Sequence, residues 1–587
     1  MNYRGIIIIL YAAFFCIYFF SCANITQPTG GPKDSIPPSI IESYPQDQAI
    51  RFKGDELEIT FSEIITVGNI KNEIIITPDI DKFDYKLVKE KLVLQFREEL
   101  LPNTTYTFNL TGAVQDVTEK NKIETAIIAF STGDYIDSLE ISGMVSDLMT
   151  GKAKKGTLVG LYPINDTISV FKHKPQYFTR TDESGSFNLK NLKNTPFRLF
   201  AFVDVNNDRI LQTTTESYGF EPEIINPSDS SQYYDIKRVT LNLDTLELRS
   251  ARPFGPYFEI GFTKSYDTLN ITSLDDSLPA YAVSDKDQKS VRLYNPFDSI
   301  AIADSVQIKL YAQDTIGFTI DTTLYASFKP SSRKPEKLSM RVDPTKGSKL
   351  EDNPSVKILF NKPMVSVNTD SISIFLDSLN SFTIPDSSLT WGKNRTDVTL
   401  HIPVSKASIK KLNETNIENW VKTVKGDTIA AMSDTTGTLP QKPALISKFS
   451  IVVGDSAFYS IEKDFSRKAT VDYSFAEASS TGIIRGTVEP GQYSYYKLQL
   501  MSGNQVIKEL VNPLSYEFRD VKPATYQLRI LIDTNGDGRW SMGNMLQNIP
   551  PDAIQKYPAD IPVKPNWELD LENILLNTGG QTVDNGE

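Results

Sequence analysis

The chain has 587 residues, a formal net charge of −12 and two cysteines, Cys16 and Cys22. Its length predicts about four to six domains at roughly 100–150 residues each. An acidic chain without a basic cluster argues against nucleic-acid binding, because that affinity comes largely from Lys and Arg on phosphates. Since no cysteine follows Cys22, disulfides and cysteine-based zinc sites are excluded from the rest of the chain.

The N-terminus has the pattern of a secretory signal. Arg4 precedes an uncharged apolar run over residues 6–20, which is shorter than the about twenty residues that a membrane-spanning helix needs. The run ends in Phe-Phe-Ser-Cys at Cys22 and resembles the lipobox of bacterial lipoproteins in its loose Bacteroidetes form, although two phenylalanines stand where leucine and a small residue are usual. The resemblance implies a signal peptide over 1–21, a lipid anchor on Cys22 and a tether over 22–36. An uncleaved anchor helix is the alternative.

Residues 37–134 alternate apolar and polar side chains in short runs, which is typical of strands in a β-sandwich. The run 57–61 (Leu-Glu-Ile-Thr-Phe) alternates strictly and continues as Ser-Glu. With Pro45 before that strand, a Leu-to-Tyr segment at 101–106 and Phe-Ser-Thr-Gly at 130–133, the region resembles an SbsA-type bacterial Ig-like domain. The resemblance implies an antiparallel β-sandwich.

The opening of this module recurs twice. Phe360 follows Pro344 by sixteen residues, as in the first copy, whereas Phe262 follows Pro253 by nine. The recurrences predict an Ig-like sandwich over 248–334 and a second SbsA-type domain over 335–455. Residues 456–480 are predicted to be a connector, and 577–587 a polar tail.

A different repeat occupies 138–247 and 481–576. In each copy an aromatic residue opens an alternating run, and an aspartate follows seven positions later, at Asp204 and Asp533. The pattern resembles the carboxypeptidase regulatory-like domain, a transthyretin-like sandwich, and implies a structural module with no catalytic residues. The fold class is therefore predicted to be all-β, a tandem array of about five β-sandwich modules, with a helix expected only locally, around 405–420.

The two aspartates open turns that are the sharpest candidates for a ligand site. Residues 533–538 have oxygen-bearing side chains at positions one, three and five and glycine at six, as in the front half of a calcium loop. Position twelve is Asn544, where that pattern needs a bidentate Glu. The candidate ligands are Asp533, Asn535 and Asp537 in the later copy and Asp204, Asn206 and Asp208 in the earlier one, which lacks the glycine. The alternative is a turn whose side chains bond their own backbone.

Little in the sequence supports catalysis. The chain has two histidines, His173 and His401, in different modules and without an adjacent nucleophile, so we expect no enzyme and no cofactor other than possible calcium. Four tryptophans could stack on sugars, with core or junction packing as the alternative: Trp391, Trp420, Trp540 and Trp567.

Asp followed by Ser or Thr and then an apolar residue recurs along the chain, and resembles the O-glycosylation sequon of exported Bacteroidetes proteins. The same dipeptides also favour turns that lead into strands, which is the alternative. The candidate acceptors are Ser35, Ser138, Ser299, Ser305, Ser371 and Thr428.

These patterns predict a non-enzymatic lipoprotein anchored in the outer membrane. Its β-sandwich modules would act as a scaffold or accessory subunit that binds an envelope or outer-membrane protein assembly. The alternative is a cell-surface protein that binds carbohydrate or mediates adhesion, which a line of exposed aromatic side chains on one module would favour. Whether the chain faces the periplasm or the cell surface stays open.

Overall fold

The computed structural model describes most of the chain. The described residues are 34–80, 82–123, 126–165, 167–228, 232–273, 281–294, 305–328, 336–350, 352–377, 380–431, 442–475 and 481–577. The predicted signal peptide and Cys22 lie outside them. Among the described residues, no helix is both long and apolar enough to cross a membrane.

The chain forms two compact units. The first comprises the residues up to Ser146 together with Ala153–Leu211 and Glu223–Ile236. The second comprises Asp147–Lys152, Gln212–Pro222 and the residues from Lys237 onward.

The first module is an Ig-like sandwich. Its strands are β1 (Ile40–Tyr44), β2 (Glu56–Phe61), β3 (Ile65–Val67), β4 (Ile75–Thr77), β5 (Phe83–Val88), β6 (Lys91–Phe96), β7 (Thr105–Asn109), β8 (Val114–Asp116) and β9 (Ile127–Ser131), with a short helix α1 (Ile70–Glu73). They form the sheets β1-β2-β6-β5 and β4-β7-β9, and β3 pairs with β8. Because β2 alternates as predicted, Leu57, Ile59 and Phe61 are all buried in the core. There they join Phe108 and Phe130, whose rings stack.

The second module is also built from two sheets around one core. Its strands are β10 (Leu139–Asp147), β11 (Leu158–Pro163), β12 (Tyr177–Arg180), β13 (Ser186–Leu192), β14 (Phe197–Phe202) and β16 (Tyr233–Arg238), while β15 (Tyr218–Phe220) belongs to the second unit. The strand orders are β13-β10-β16 and β12-β11-β14. Side chains of both sheets meet in one core, for example Ile141 with Leu161 and Phe197.

The third module repeats the strand order of the first. Its strands are β17 (Leu248–Phe254), β18 (Tyr257–Phe262), β19 (Thr268–Ser273), β20 (Tyr281–Ser284), β21 (Ser290–Tyr294), β22 (Ser305–Gln313) and β23 (Thr319–Ser327). The sheets β17-β18-β21-β20 and β19-β22-β23 correspond to the two main sheets of the first module. Phe254 pairs with Tyr257 across a two-residue turn, which explains why Phe262 follows Pro253 so closely.

The fourth module has the same strand order and one additional helix. Its strands are β24 (Met340–Asp343), β25 (Lys349–Leu350), β26 (Ser355–Phe360), β27 (Met364–Val367), β28 (Ile372–Phe375), β29 (Ser381–Thr383), β30 (Leu389–Trp391), β31 (Asp397–His401), β32 (Lys448–Val453), β33 (Phe458–Ser460) and β34 (Ala469–Phe475). The 3₁₀ turns are Thr369–Ser371 and Asp386–Ser388, and the helix is α2 (Lys406–Ala431). The sheets are β24-β26-β31-β30 and β25-β34-β32-β28-β29, with β27 paired to β33. The helix expected around 405–420 is present and runs eleven residues further, to Ala431.

The segment 456–480, which the sequence predicts to be a connector, instead contributes two strands to the fourth module. It carries β33 and β34, and β34 pairs with β32 along its length. Lys349–Leu350 run parallel to the end of β34, just as Ala49 forms a parallel bridge to Phe130 in the first module. Therefore β34 is the counterpart of β9, and the fourth module extends to Phe475 rather than 455.

The fifth module repeats the strand order of the second. Its strands are β35 (Gly482–Glu489), β36 (Tyr496–Ser502), β37 (Gln505–Val511), β38 (Ser515–Val521), β39 (Ala524–Ile532), β40 (Ala553–Lys556), β41 (Ile561–Val563), β42 (Glu568–Asp570) and β43 (Ile574–Leu575), with a 3₁₀ turn at Met545–Gln547. The sheets β38-β35-β42 and β37-β36-β39-β40 match the arrangement of β10 to β14 and β16.

A glycine in the first strand of each copy makes room for an aromatic ring. Gly143 pairs with Phe187, and Gly486 pairs with Tyr516. A Cβ at Gly143 would lie 2.7 Å from the Phe187 ring and 2.1 Å from the Tyr234 carbonyl oxygen. The glycine shared by Gly-Met-Val at 143–145 and Gly-Thr-Val at 486–488 is therefore explained by packing. Together, the five modules make the chain an all-β array of sandwich modules.

Candidate functional site

The later aspartate turn is closed by its own backbone. Asp533 follows β39 directly and is buried, with 3% of its surface exposed. Its carboxylate oxygens accept the backbone N–H groups of Gly536 (2.7 Å) and Gly538 (2.8 Å). Both glycines have positive φ angles, 76° and 83°, which residues other than glycine rarely adopt. The turn geometry therefore depends on Asp533 as an acceptor.

A second buried carboxylate, which the sequence analysis missed, closes the longer loop. Asp552 accepts the backbone N–H groups of Thr534 (2.9 Å) and Ser541 (2.8 Å). It also accepts their hydroxyl groups, at 2.7 and 3.2 Å. Because a buried carboxylate needs such partners, Asp552 and Asp533 together fix residues 533–552 as one ordered loop. No local motif marks Asp552, which lies far beyond the turn in sequence.

Asn544, at position twelve of the calcium-loop pattern, has other partners. Its Oδ1 accepts the N–H groups of Leu546 (2.9 Å) and Gln547 (3.3 Å) and so caps the 3₁₀ turn. Its Nδ2 donates to the carbonyl of Ile316 in the third module. Asn548 likewise donates to the carbonyl of Pro222 at 2.9 Å. The loop that contains the aspartate turn therefore forms hydrogen bonds with two other segments of the second unit.

The earlier aspartate turn has the same backbone with different chemistry. Asn207 and Arg209 have φ angles of 59° and 64° at the positions of the two glycines. The fully buried Asp204 carboxylate lies 2.9 Å from a guanidinium nitrogen of Arg180, so a protein cation already neutralises it. Arg209 forms a largely buried ion pair with Asp79 of the first module. This turn also lies at a module junction.

The other candidate ligands bond within their own turns. Asn206 Oδ1 accepts the Asp208 N–H at 3.3 Å, and Asn535 Oδ1 accepts the Asp537 N–H at 2.9 Å. In the part of the chain that the structure describes, no three His, Cys, Asp or Glu side chains are grouped to hold a metal ion. The geometry fits the turn alternative, and calcium binding stays a prediction.

Both histidines have local hydrogen-bond partners. His401 ends β31, where Nδ1 lies 2.9 Å from the hydroxyl of its cross-strand neighbour Ser355 and Nε2 lies 3.1 Å from that of Thr390. His173 Nδ1 accepts the backbone N–H of Ser169. The two histidines are thus strand and turn residues.

The four tryptophans lie in different local environments. Trp391 packs edge-to-face on Phe458, and Trp540 Nε1 donates to the carbonyl of Ala553. Trp567 is 40% exposed, and the fourth tryptophan lies on α2. Exposed aromatic side chains of the described residues are spread over all five modules: Tyr44, Tyr85, Tyr135, Tyr233, Tyr325, Phe375, Phe465 and Trp567.

The candidate glycosylation sites have different local structures: Ser138 immediately precedes β10, Ser305 begins β22, and Ser35 lies in the irregular segment before β1. Ser35, Ser138 and Ser305 are exposed, and Ser371 is half-buried at the end of a 3₁₀ turn. Ser299 and the side chain of Thr428 lie outside the described residues. Glycosylation of these hydroxyls stays a prediction.

A buried lysine that sequence reasoning did not assign forms a charged cluster in the fourth module. Lys362 follows β26 and is 1% exposed, and its Nζ lies 2.6 Å from Glu462 Oε2 and 3.2 Å from Asp464 Oδ2. Lys264 occupies the matching position in the third module and pairs with the buried Asp314. In both modules the lysine follows the strand-ending phenylalanine by two residues, which is the signal that could have identified it.

The Lys362 cluster also joins the third module to the fourth. Tyr294 of β21 donates its hydroxyl to Glu462 at 3.2 Å, and burial together with the Glu462 charge raises the pKa of Tyr294 well above its usual range. Arg292 contacts Glu336 at 3.0 Å and holds the pKa of that carboxyl below its usual range. The contacts Tyr294–Glu462 and Arg292–Glu336 both cross the junction and hold the third module against the fourth.

Comparison with known families identifies the class of one module. Residues 34–132 match the bacterial Ig-like domain model, and the chain therefore contains a bacterial Ig-like domain. The match covers the first module, whose strand order recurs in the third and fourth. No curated protein matches the sequence.

Solved structures with similar β-sandwich modules are only distantly related. The TIE protein of Bacillus anthracis is 8% identical, with 94% of this chain and 75% of that chain covered and a TM-score of 0.12. The major pilin subunit BcpA of Bacillus cereus is 12% identical, with 74% and 99% covered and a TM-score of 0.12. The pilus adhesin RrgA of Streptococcus pneumoniae is 12% identical, with 33% and 31% covered and a TM-score of 0.11. Similarity at this level carries no argument about module arrangement or function.

Proposed function

We propose that the protein is a non-enzymatic scaffold of the cell envelope, anchored in the outer membrane through a lipid on Cys22. Its modules would present a binding surface to an envelope or outer-membrane protein assembly. The bacterial Ig-like domain, the all-β architecture and the lipobox-like N-terminus support this proposal. The histidines and aspartate turns are engaged in local structure, which agrees with a role other than catalysis.

The observation that carries the proposal is the junction between the third and fourth modules. A scaffold must hold distance and orientation, whereas modules on free linkers move independently. The Tyr294 hydroxyl of the third module donates to Glu462, which the buried Lys362 holds in place within the fourth module. Arg292 and Glu336 form a partly exposed ion pair across the same junction. The buried pair Lys362–Glu462 tolerates little displacement, because separation leaves uncompensated charges, so the acceptor for Tyr294 is held in a fixed position.

Purification of the tagged full chain from membranes in mild detergent tests the proposal. We expect an integral outer-membrane protein to co-purify with the wild type and less of it with Lys362→Met, which loosens the junction. Lys357→Met is the matched control, because Lys357 lies in the same strand and its ion pair with Asp397 is partly exposed. Recovery of no envelope protein, together with retention on a neutral or acidic glycan column, would instead favour the adhesive alternative.

A further inference from the structure

A pocket of about 580 Å³ lies in the second unit, between the turn Asp147–Lys152 and the outer face of the sheet that contains β36 and β39. Its lining includes the apolar residue Met149 and, nearly fully buried, Met501. This volume is within the range of small-molecule sites, which is roughly 300–1,000 Å³. The pocket is separate from the aspartate turns and from the Lys362 cluster.

Three cationic side chains converge on this pocket. They are Lys152 of the turn, Arg529 of β39 and Lys556 of β40. Arg529 Nε donates to Gln499 Oε1 at 2.8 Å, and this contact orients the guanidinium. Lys556 Nζ donates to the carbonyl of Thr150 at 2.7 Å.

The positive charge in the pocket is only partly balanced: Glu509 of β37 interacts electrostatically with Arg529, but it also pairs with Lys497 at 3.3 Å. Asp560 is the acidic residue of the lining, and it already accepts the amide of Gln527 at 2.8 Å. Among the described residues, neither the Lys152 ammonium nor the terminal nitrogens of Arg529 have an acidic partner within ion-pair distance.

The pKa of Lys556 on β40 reflects the nearby positive charges. Burial, with the charges of Arg529 and Lys152, lowers the pKa of Lys556, although Asp147 opposes the shift. Repulsion between cations is relieved when an anion binds between them. A cationic pocket is unusual for a chain whose net charge is −12.

We propose that this pocket binds an acidic saccharide, a sugar unit that carries a carboxylate, phosphate or sulfate group. The three cations would hold the anionic group through charge-assisted hydrogen bonds. The cavity is much larger than a bare oxyanion, and its lining adds neutral hydrogen-bonding groups suited to sugar hydroxyls, on Thr150, Asn504 and Thr525. The inference does not depend on the lipid anchor or on the scaffold role.

Calorimetric titration of the full chain tests the proposal with four probes: glucuronate, glucose 6-phosphate, inorganic phosphate and glucose. We expect both acidic sugars to bind more tightly than inorganic phosphate and glucose not to bind. Binding should weaken as the sodium chloride concentration rises, since salt screens exposed charges. Equal affinity for phosphate and the acidic sugars would mean an anion site without a sugar subsite and would overturn the proposal, as would the absence of binding.

Lys152→Gln should weaken acidic-sugar binding by about tenfold or more, because a hydrogen bond to a charged group contributes about 1.5–3 kcal/mol. Lys152 is exposed, so this variant is expected to fold. Lys522→Gln is the matched control: it removes the same charge from an exposed position of the fifth module outside the pocket. If both variants lose affinity equally, the binding is general charge attraction and the pocket is not the site.

Discussion

Lys362 and Glu462 form an ion pair in the core of the fourth module, with their side chains only 1% and 3% exposed. Lys362 leaves β26, and Glu462 lies in the turn after β33, so the pair links two distant parts of the module. Glu462 also accepts the hydroxyl of Tyr294 from the third module. One ion pair thus stabilises both a module and a junction.

Lys362→Met should destabilise the fourth module by about 3–5 kcal/mol, because it leaves Glu462 buried without its counter-charge. Urea unfolding of the full chain, followed by tryptophan fluorescence, measures the loss. The double variant Lys362→Met/Glu462→Leu should recover part of the stability, since it removes both charges. A double variant no more stable than the single one would argue against the buried pair as the cause.

Gly143→Ala should destabilise the second module more than Gly486→Ala destabilises the fifth. The new methyl group at Gly143 meets the backbone oxygen of Tyr234 at 2.1 Å, whereas at Gly486 its nearest neighbour is the Tyr516 hydroxyl at 2.4 Å. A side chain can move aside more easily than a strand, and overpacking of a core costs about 1–3 kcal/mol. Calorimetry measures how far each variant lowers the unfolding temperature of its own module. A larger decrease for Gly486→Ala than for Gly143→Ala would contradict this explanation.

Glu336→Gln should weaken the junction between the third and fourth modules at neutral pH but not in acid. Arg292 lowers the folded-state pKa of Glu336 below its ordinary value of 4.5, so the pair stabilises the fold above that pH. The contribution is lost as the pH falls through the folded-state pKa. The difference in urea midpoint between wild type and variant should therefore shrink from pH 7 to pH 3.

Glu414→Gln is the matched control for this pH dependence. Glu414 is an exposed residue of α2 and forms no ion pair among the described residues. Its variant should have the wild-type midpoint at both pH values. A constant difference for Glu336→Gln across the range would show that the carboxylate charge contributes nothing to the junction.

Cys22→Ser should abolish acylation and leave the protein uncleaved or soluble in the periplasm. A short apolar run that ends at this cysteine motivates the prediction, and several acyl chains are needed for stable anchoring. Labelled palmitate and membrane fractionation measure the effect, with Cys16→Ser as the control. A Cys22→Ser protein that still takes up label and stays in the outer membrane would contradict the lipid anchor.

The alternating strands were predictable because their periodicity is a local property. Leu57, Ile59 and Phe61 show the two-residue period of a half-buried strand, and all three are buried. β34 was missed because its sequence, Ala469–Phe475, alternates weakly and has one fully buried residue, Tyr473. Its place in the sheet depends on pairing with β32, which the segment itself does not show.

The partners at the junctions could not be predicted, because they come from distant segments. Lys362 and Glu462 are one hundred positions apart, and the acceptor for Asn544 is the carbonyl of Ile316. Local turn chemistry identified Asp533 but not Asp552, which has no motif of its own. The residues that hold modules together therefore emerge only from the folded chain.

The last prediction distinguishes a structural aspartate loop from a calcium site. Asp533→Asn keeps the shape of the side chain but replaces one of two oxygens that accept backbone N–H groups. The unfolding free energy should fall by about 1.5–3 kcal/mol, which is the contribution of a hydrogen bond to a charged group. Because these oxygens already have backbone partners, we expect the same loss in several millimolar calcium and in chelator.

Asp552→Asn is the control, because Asp552 closes the same loop but is not a candidate calcium ligand. It should destabilise the full chain equally with and without calcium. If wild-type stability rises with calcium and Asp533→Asn removes only that increase, the turn binds the ion. Binding to the folded state alone would raise the unfolding free energy by about 1.4 kcal/mol at ten times Kd, which is large enough to measure. An equal loss for both variants in both conditions means that Asp533, like Asp552, stabilises the loop through its own backbone.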